Sequence, residues 1–97
     1  MTLKQEPVVR RALLSDFAKI IEVESSSFRR PYSPKLIFSL LHLHSDTFYV
    51  ASVNGEVVGY VVGAKRIDGC GHVISIAVKP QWRRRGIGSK LMKTLLS

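Results

Sequence analysis

The sequence contains little cysteine, few acidic residues and no long apolar run, and each shortage excludes a class of protein. Cys70 is the one cysteine among 97 residues, so no disulfide forms within the chain, and the cytoplasm is the expected location. Every apolar stretch is far shorter than the roughly 20 residues that cross a bilayer. Residues 1–7 carry no hydrophobic signal region. We therefore expect one cytoplasmic domain, residues 1–97, that does not enter a membrane.

Charge is unevenly distributed along the chain. The sequence has 15 lysine and arginine residues against 7 aspartate and glutamate residues, which gives a formal net charge of +8. No acidic residue follows Asp68, whereas the same part of the chain carries the cations Lys79, Arg83, Arg84, Arg85, Lys90 and Lys93. Such a positive field attracts polyanions, and both a phosphorylated cofactor and RNA belong to that class. Composition alone does not choose between them.

The spacing of apolar residues predicts an α/β (α+β) fold with the element order β-α-α-β-β-β-α. Strands are predicted at residues 8–13, 47–53, 56–64 and 72–78. Ser15-Asp16 and Ser33-Pro34 are helix-start signals, and Asn54-Gly55 is the dipeptide typical of a two-residue hairpin turn. The sequence shows no repeat, no low-complexity segment and no interdomain linker.

The first predicted helix carries its apolar residues on one side. Phe17, Ile20 and Ile21 are expected to face the core, and Glu24 follows at the same helical spacing. The three serines at residues 25–27 are expected to end this helix. The segment between the two predicted helices then contains two aromatic side chains.

The last strand, the loop after it and the final helix together predict an anion-binding site. Ile74, Ile76, Ala77 and Val78 form an apolar run that suits a strand covered on both faces. Two glycines in the following loop allow positive φ or a close approach to a ligand, and free N–H groups at the start of the next helix point into that loop. The loop matches neither a nucleotide P-loop nor a dinucleotide fingerprint.

This segment resembles the acetyl-coenzyme A motif of the GNAT superfamily of N-acetyltransferases. Its arginine, glycine and glycine at positions 83, 86 and 88 follow a hydrophobic strand, as in the family's Arg/Gln-x-x-Gly-x-Gly/Ala loop. Residues 71–78 are also similar to protein N-terminal acetyltransferases, especially the archaeal members of the ribosomal-protein-alanine type. The resemblance implies a mostly antiparallel mixed sheet with flanking helices and acetyl-coenzyme A as co-substrate. It assigns cofactor contacts to Ile76, Ala77, Val78, Arg83, Arg84, Arg85, Gly86, Ile87, Gly88 and Ser89.

The resemblance also implies a reaction and an acceptor. An amine attacks the thioester directly in a ternary complex, and the expected acceptor is a protein N-terminus, with a ribosomal protein as one candidate. His72 stands where related enzymes place a residue that handles the amine proton; the structural alternative is a residue that merely ends a strand. Phe28, Pro31 and Tyr32 are expected to line the acceptor pocket, or else to anchor the loop. Some relatives carry a glutamate in this segment, where this chain has Arg29-Arg30; Arg30 puts glutamate-dependent chemistry in doubt and favours an acidic or phosphate-bearing acceptor.

The match covers nearly all of this chain but about the first two-thirds of the family's domain. We expect the leaving-group acid to belong to the remainder, and an uncovered sheet edge to favour self-association. Tyr49 and Tyr60 lie on early strands and are expected to pack in the core or sheet.

Three other readings of the sequence follow from its remaining features. His42, His44 and Cys70 have no recognised zinc spacing, so no metal is expected. A small-molecule amine is the alternative acceptor. A basic module that binds nucleic acid through residues 79–93 is the rival function, and its affinity would fall steeply with salt.

Overall fold

The computed structural model describes residues 6–65 and 71–97. Within them the chain forms strands β1 (Val8–Arg11), β2 (Phe48–Val53), β3 (Glu56–Lys65) and β4 (Gly71–Val78) and helices α1 (Phe17–Ser27), α2 (Pro34–Leu43) and α3 (Ile87–Leu96). Short 3-10 turns precede α1, β2 and α3. The predicted element order is confirmed. Cys70, which the sequence places in a turn before β4, lies outside the described residues.

The four strands form one antiparallel sheet in the order β1-β2-β3-β4. The predicted hairpin between β2 and β3 is confirmed. Asn54 and Gly55 have φ values of 52° and 83°, the left-handed backbone that the two central residues of this turn require. Asparagine and glycine adopt that backbone at little cost, so two residues suffice to set the β2–β3 register.

Helices cover both faces of the sheet. On one face, α1 and α2 pack on β2 and β3 through Ile20, Val23, Ile37, Leu40, Phe48, Val50, Tyr60 and Val62. On the opposite face, α3 packs through Ile87 and Leu91 against Ala51, Val58 and Val61. The strands at the centre of the sheet are therefore buried on both sides, and they hold the ends of β4 and α3 in place.

The expectation that β4 is covered on both faces holds in part, because β4 side chains pack against helices on both faces but most are not fully buried. Ala77 is buried, but Ile74, Ile76 and Val78 are only partly buried. The reason is position: among the described strands, β4 pairs with β3 alone, so its outer edge contacts no other strand. Self-association through this edge stays a prediction.

The register between β3 and β4 shifts by one residue at Ile74. Val62 pairs with Ser75 and Gly63 pairs with Val73, so Ile74 has no partner in β3. Ile74 packs with the α1 and α2 core, whereas Val73 packs with the α3 core. The bulge thus turns two successive side chains of β4, Ile74 and Ser75, toward α1.

The predicted start of α2 agrees with the structure, whereas the predicted end of α1 does not. Ser33 caps α2, because its hydroxyl accepts a hydrogen bond from the N–H of Leu36 at 3.2 Å. The three serines expected to end α1 instead form its last turn. The hydroxyls of Ser26 and Ser27 donate to the carbonyl of Val23, which satisfies them within the helix.

In residues 6–65 and 71–97, no helix combines the length and apolar character needed to cross a membrane. The same residues contain no group of three or more histidine, cysteine, aspartate or glutamate side chains placed to hold a metal ion. The cytoplasmic location stays a prediction.

A bidentate ion pair fixes β1 to the start of α1. Both terminal guanidinium nitrogens of Arg10 donate to the carboxylate of Asp16, at 2.8 and 2.9 Å, and the N–H of Leu13 donates to it at 2.7 Å. The hydrogen bonds from Arg10 are the main reason that the pKa of Asp16 is lowered from its usual range. Three donors on one carboxylate explain why this charged side chain lies at a buried helix start.

We expect Asp16→Asn to lower the free energy of unfolding by about 1 kcal/mol at pH 7, a value reduced because Arg10 is partly exposed. The folded pKa of Asp16 is below its unfolded value, so its stabilisation is present above about pH 4 and is lost as the pH falls through the folded pKa. Urea denaturation at pH 7 and pH 3 measures both effects. The control is Asp46→Asn, whose side chain is 79% exposed. Equal stability of Asp16→Asn and the native chain at pH 7 would contradict this prediction.

Candidate functional site

The loop between β4 and α3 has the backbone geometry of an anion-binding turn. Arg84 and Gly86 both have positive φ, 64° and 78°, and Gly86 is the residue immediately before α3. The N–H of Lys90 bonds the carbonyl of Gly86, which begins the helical hydrogen bonds. The N–H groups of the first turn of an α-helix have no partner within the helix, and here they face the loop. No side chain caps this helix at Gly86.

A cavity of about 410 Å³ lies between this loop and the end of β4; we call it the α3 cavity. It is lined by Phe28, Ile76, Ala77, Val78, Trp82, Arg83, Arg84, Gly86, Ile87, Gly88 and Ser89. The structure therefore brings together all the predicted cofactor residues except Arg85. Their contacts with a cofactor stay predictions. Phe28 and Trp82 line the cavity as well, although the sequence did not assign them to it.

The three arginines of the loop are placed differently from one another. The Nε of Arg83 donates to the carbonyl of Val78 at 3.0 Å, which ties the loop to the end of β4. The guanidinium of Arg85 lies 4.8 Å from the ring centre of Trp82, and Arg85 does not line the α3 cavity. Arg84 lines the cavity and is exposed. Arg83 also lines the cavity and is exposed, so the charges of both Arg83 and Arg84 lie at the cavity, with the Nε of Arg83 already bonded to Val78.

A second cavity of about 350 Å³ lies beside α1; we call it the α1 cavity. It is lined by Glu24, Phe28, Arg30, Tyr32, Val73, Ile74, Ser75 and Ile76. Phe28 and Ile76 line both cavities, so the two cavities meet at these side chains. Of the predicted acceptor residues, Phe28 and Tyr32 lie here, whereas Pro31 lines neither of the two cavities.

His72 lies at the beginning of β4, opposite Ala64 of β3. Its side chain is exposed, and it lines neither the α3 cavity nor the α1 cavity. The part of the chain that the structure describes does not bring His72 together with the predicted cofactor residues. Its catalytic role stays a prediction.

A buried carboxylate beside the α1 cavity was not predicted as a site residue. Glu24 is 2% exposed. Its Oε1 accepts a hydrogen bond from the hydroxyl of Tyr60, and its Oε2 accepts one from the N–H of Tyr32 at 2.7 Å. The Tyr60 hydroxyl also lies 2.9 Å from the Oγ of Ser75. Burial and donation to Glu24 raise the pKa of Tyr60.

Tyr60 packs in the core as expected, since it is fully buried and its ring lies 5.5 Å from that of Phe48. Its hydroxyl, however, links α1 to β4 through Glu24 and Ser75. The sequence contained one indication that Glu24 is buried: it follows Phe17 and Ile20 at helical spacing and therefore lies on the apolar face of α1. A carboxylate on such a stripe needs partners, and the sequence did not show which residues supply them.

Comparison with known proteins identifies the family. Residues 17–97 match the model of the Acetyltransferase (GNAT) family, and the chain belongs to that family. An uncharacterized N-acetyltransferase of Methanocaldococcus jannaschii is 40% identical over 89 residues, and an N-alpha-acetyltransferase of Sulfolobus acidocaldarius is 34% identical over 99 residues. The matches cover 91% of this chain in both cases.

A solved structure agrees with these relatives. The crystal structure of Ard1 from Thermoplasma volcanium superposes with a TM-score of 0.84 at 29% identity, over 92% of this chain and 60% of that one. The match spans 56% of the M. jannaschii relative and 59% of the S. acidocaldarius relative, so this chain spans a little over half the length of the curated relatives it matches. The expected family and partial GNAT fold are confirmed.

Proposed function

We propose that this chain carries the acetyl-coenzyme A site and part of the acceptor site of an N-acetyltransferase that acts on protein N-termini. The observation that carries the proposal is the α3 cavity, in which the end of β4, the positive-φ loop and the first turn of α3 enclose one space. The match to the GNAT family supports the donor. The S. acidocaldarius relative, an N-alpha-acetyltransferase, supports the acceptor.

The residues of the α3 cavity fit a cofactor that carries a pyrophosphate. A Cβ at Gly86 or Gly88 would meet no atom within 4 Å, so the loop backbone borders open space that phosphate oxygens can approach. The N–H groups at the start of α3 donate toward that space, and Arg84 adds positive charge. Bound acetyl-coenzyme A would supply the acetyl thioester. Main-chain groups of residues 76–78 would position it, and a backbone donor there would stabilise negative charge on the acetyl oxygen.

The acceptor would reach β4 from the α1 cavity. The two cavities share Phe28 and Ile76, so an amine bound in the α1 cavity would lie next to a thioester held in the α3 cavity. An α-amino group has a pKa of about 7.7–8.0 and loses its proton far more readily than a lysine at about 10.4. A protein N-terminus therefore needs less help from a base, which suits a site where His72 is exposed. A ribosomal protein is one candidate acceptor.

The first test is isothermal titration of acetyl-coenzyme A into the chain, with coenzyme A and a short single-stranded RNA as comparators. We expect binding at one site for both coenzymes. RNA binding, if it dominated instead, would fall with salt with a log–log slope of about −0.7 per phosphate neutralised. Tight, salt-sensitive binding of RNA together with no binding of either coenzyme would overturn the proposal.

We expect Gly86→Asp to weaken acetyl-coenzyme A binding by about 100-fold or more, because the new carboxylate repels the pyrophosphate. Gly55→Asp is the matched control: Gly55 has a similar φ of 83° and also has no atom within 4 Å of its Cβ position. It carries the same strain far from the cavity and should leave binding unchanged. Gly88→Ala should also bind, since the motif accepts alanine there. Full affinity in Gly86→Asp by titration would refute the assignment of the loop.

A further inference from the structure

The hydrogen bonds that join Ser75, Tyr60 and Glu24 have a fixed direction. A phenol carries one proton, and Tyr60 donates it to the carboxylate of Glu24. In the 2.9 Å contact between Tyr60 and Ser75, the serine must then be the donor. Because Ser75 uses its one proton in this way, the lone pairs that remain on its Oγ can only accept. Ser75 lines the α1 cavity, so it offers a hydrogen-bond acceptor to a ligand there.

The negative charge of Glu24, which is linked to Ser75 through Tyr60, is not neutralised by a cation among the described residues. Both partners of the Glu24 carboxylate, the Tyr60 hydroxyl and the Tyr32 N–H, are neutral donors. No lysine or arginine of residues 6–65 and 71–97 forms an ion pair with Glu24. A carboxylate that is 2% exposed and held by neutral donors favours a cation placed nearby.

The other groups that line the α1 cavity do not supply the positive charge that Glu24 favours. Val73, Ile74 and Ile76 of β4 are apolar. The segment between α1 and α2 contributes the phenol of Tyr32 and the guanidinium of Arg30, and Arg30 is exposed, so solvent screens its charge. Of the described residues that line the α1 cavity, Glu24 is the acidic one.

We propose that Ser75, Tyr60 and Glu24 recognise the ammonium group of the acceptor, an inference that rests on the proposed N-acetyltransferase function. Ser75 Oγ accepts a hydrogen bond from the ammonium. Tyr60 and Glu24 are positioning residues: they fix the orientation of the Ser75 hydroxyl and supply the negative charge that favours a cation. Glu24 also accepts a hydrogen bond from the N–H of Tyr32, so the carboxylate that favours the ammonium also holds one wall of the α1 cavity against α1.

The probe is a hexapeptide with an N-terminal alanine and a free α-amino group, compared with its N-acetylated twin. Both are titrated into the chain at pH 6.5, with and without saturating coenzyme A, and followed by NMR. We expect the free peptide to bind about 10-fold more tightly than the acetylated one. The preference should fall as the pH rises to 9.5, because the ammonium loses its proton near pH 8 while the raised pKa of Tyr60 keeps its phenol protonated.

In the variants Glu24→Gln and Ser75→Ala, the free and the acetylated peptide should bind about equally, and in Tyr60→Phe the preference for the free peptide should be reduced in part. Glu22→Gln, on the exposed side of α1, and Tyr49→Phe, on β2, are the matched controls and should keep it. Because Glu24→Gln and Tyr60→Phe change buried side chains and could misfold, Ser75→Ala, on the outer strand, tests the same role with less risk to the fold. Circular dichroism checks the folding of every variant. Rescue of the preference in Glu24→Asp would support the role of the charge.

The outcomes separate this inference from the proposed function. Equal affinity of the native chain for the two peptides, or an unchanged preference in Glu24→Gln and Ser75→Ala, would overturn the recognition role even if coenzyme A binds normally. Loss of coenzyme A binding with a retained amine preference would instead remove the acetyl-donor assignment and leave the recognition of an ammonium standing. Coenzyme A titration of each variant supplies that comparison.

Discussion

The antiparallel pairing of β3 with β4 is the constraint on which both cavities depend. It holds β4 at the border of the sheet, where residues 76–78 line the α3 cavity and residues 73–76 line the α1 cavity. Central strands buried under helices on both faces keep β3 rigid, and β3 in turn fixes β4. The bulge at Ile74 then adds Ile74 to the β4 side chains that face α1. Ser75 faces α1 through the regular part of the ladder, in which Val62 pairs with Ser75 and Tyr60 pairs with Ala77; without the bulge, Ile74 would point to the opposite face of the sheet.

A buried carboxylate is costly, and this fold retains one, Glu24, beside the α1 cavity. Removing a carboxylate from water costs several kcal/mol, which hydrogen bonds from neutral donors offset only in part. Glu24 obtains those bonds from β3 and from the α1–α2 segment, so the same contacts join three parts of the fold. Glu24 and Arg30 line the same cavity, so a buried carboxylate and an exposed guanidinium both border the α1 cavity.

In the loop before α3, arginine contacts hold the backbone in place, while N–H groups of the backbone face the α3 cavity. Arg83 bonds the end of β4 and Arg85 stacks on Trp82, so two of its three arginines hold the loop in place. Gly86 and Arg84 take the left-handed backbone that turns the chain into α3. In the proposed anion site, N–H groups whose directions the helix fixes would supply most of the donors, and the exposed arginines Arg83 and Arg84 would add positive charge. A backbone cradle of this kind explains why glycines, more than arginines, define the motif.

Short-range features of the sequence determined much of this structure: the Asn54-Gly55 turn, the Ser33-Pro34 helix start and the anion loop before α3 each depend on neighbouring residues and could be predicted. The resemblance to the GNAT family added the cofactor residues, of which only Arg85 lies away from the α3 cavity. Other features were decided by tertiary structure. Glu24 meets Tyr60 across 36 positions, and Tyr60 meets Ser75 across 15. Apolar spacing shows that Glu24 is buried, but its contact with Tyr60 depends on how α1 packs on β3, and the contact of Tyr60 with Ser75 depends on strand register; both arise only when distant segments pack together.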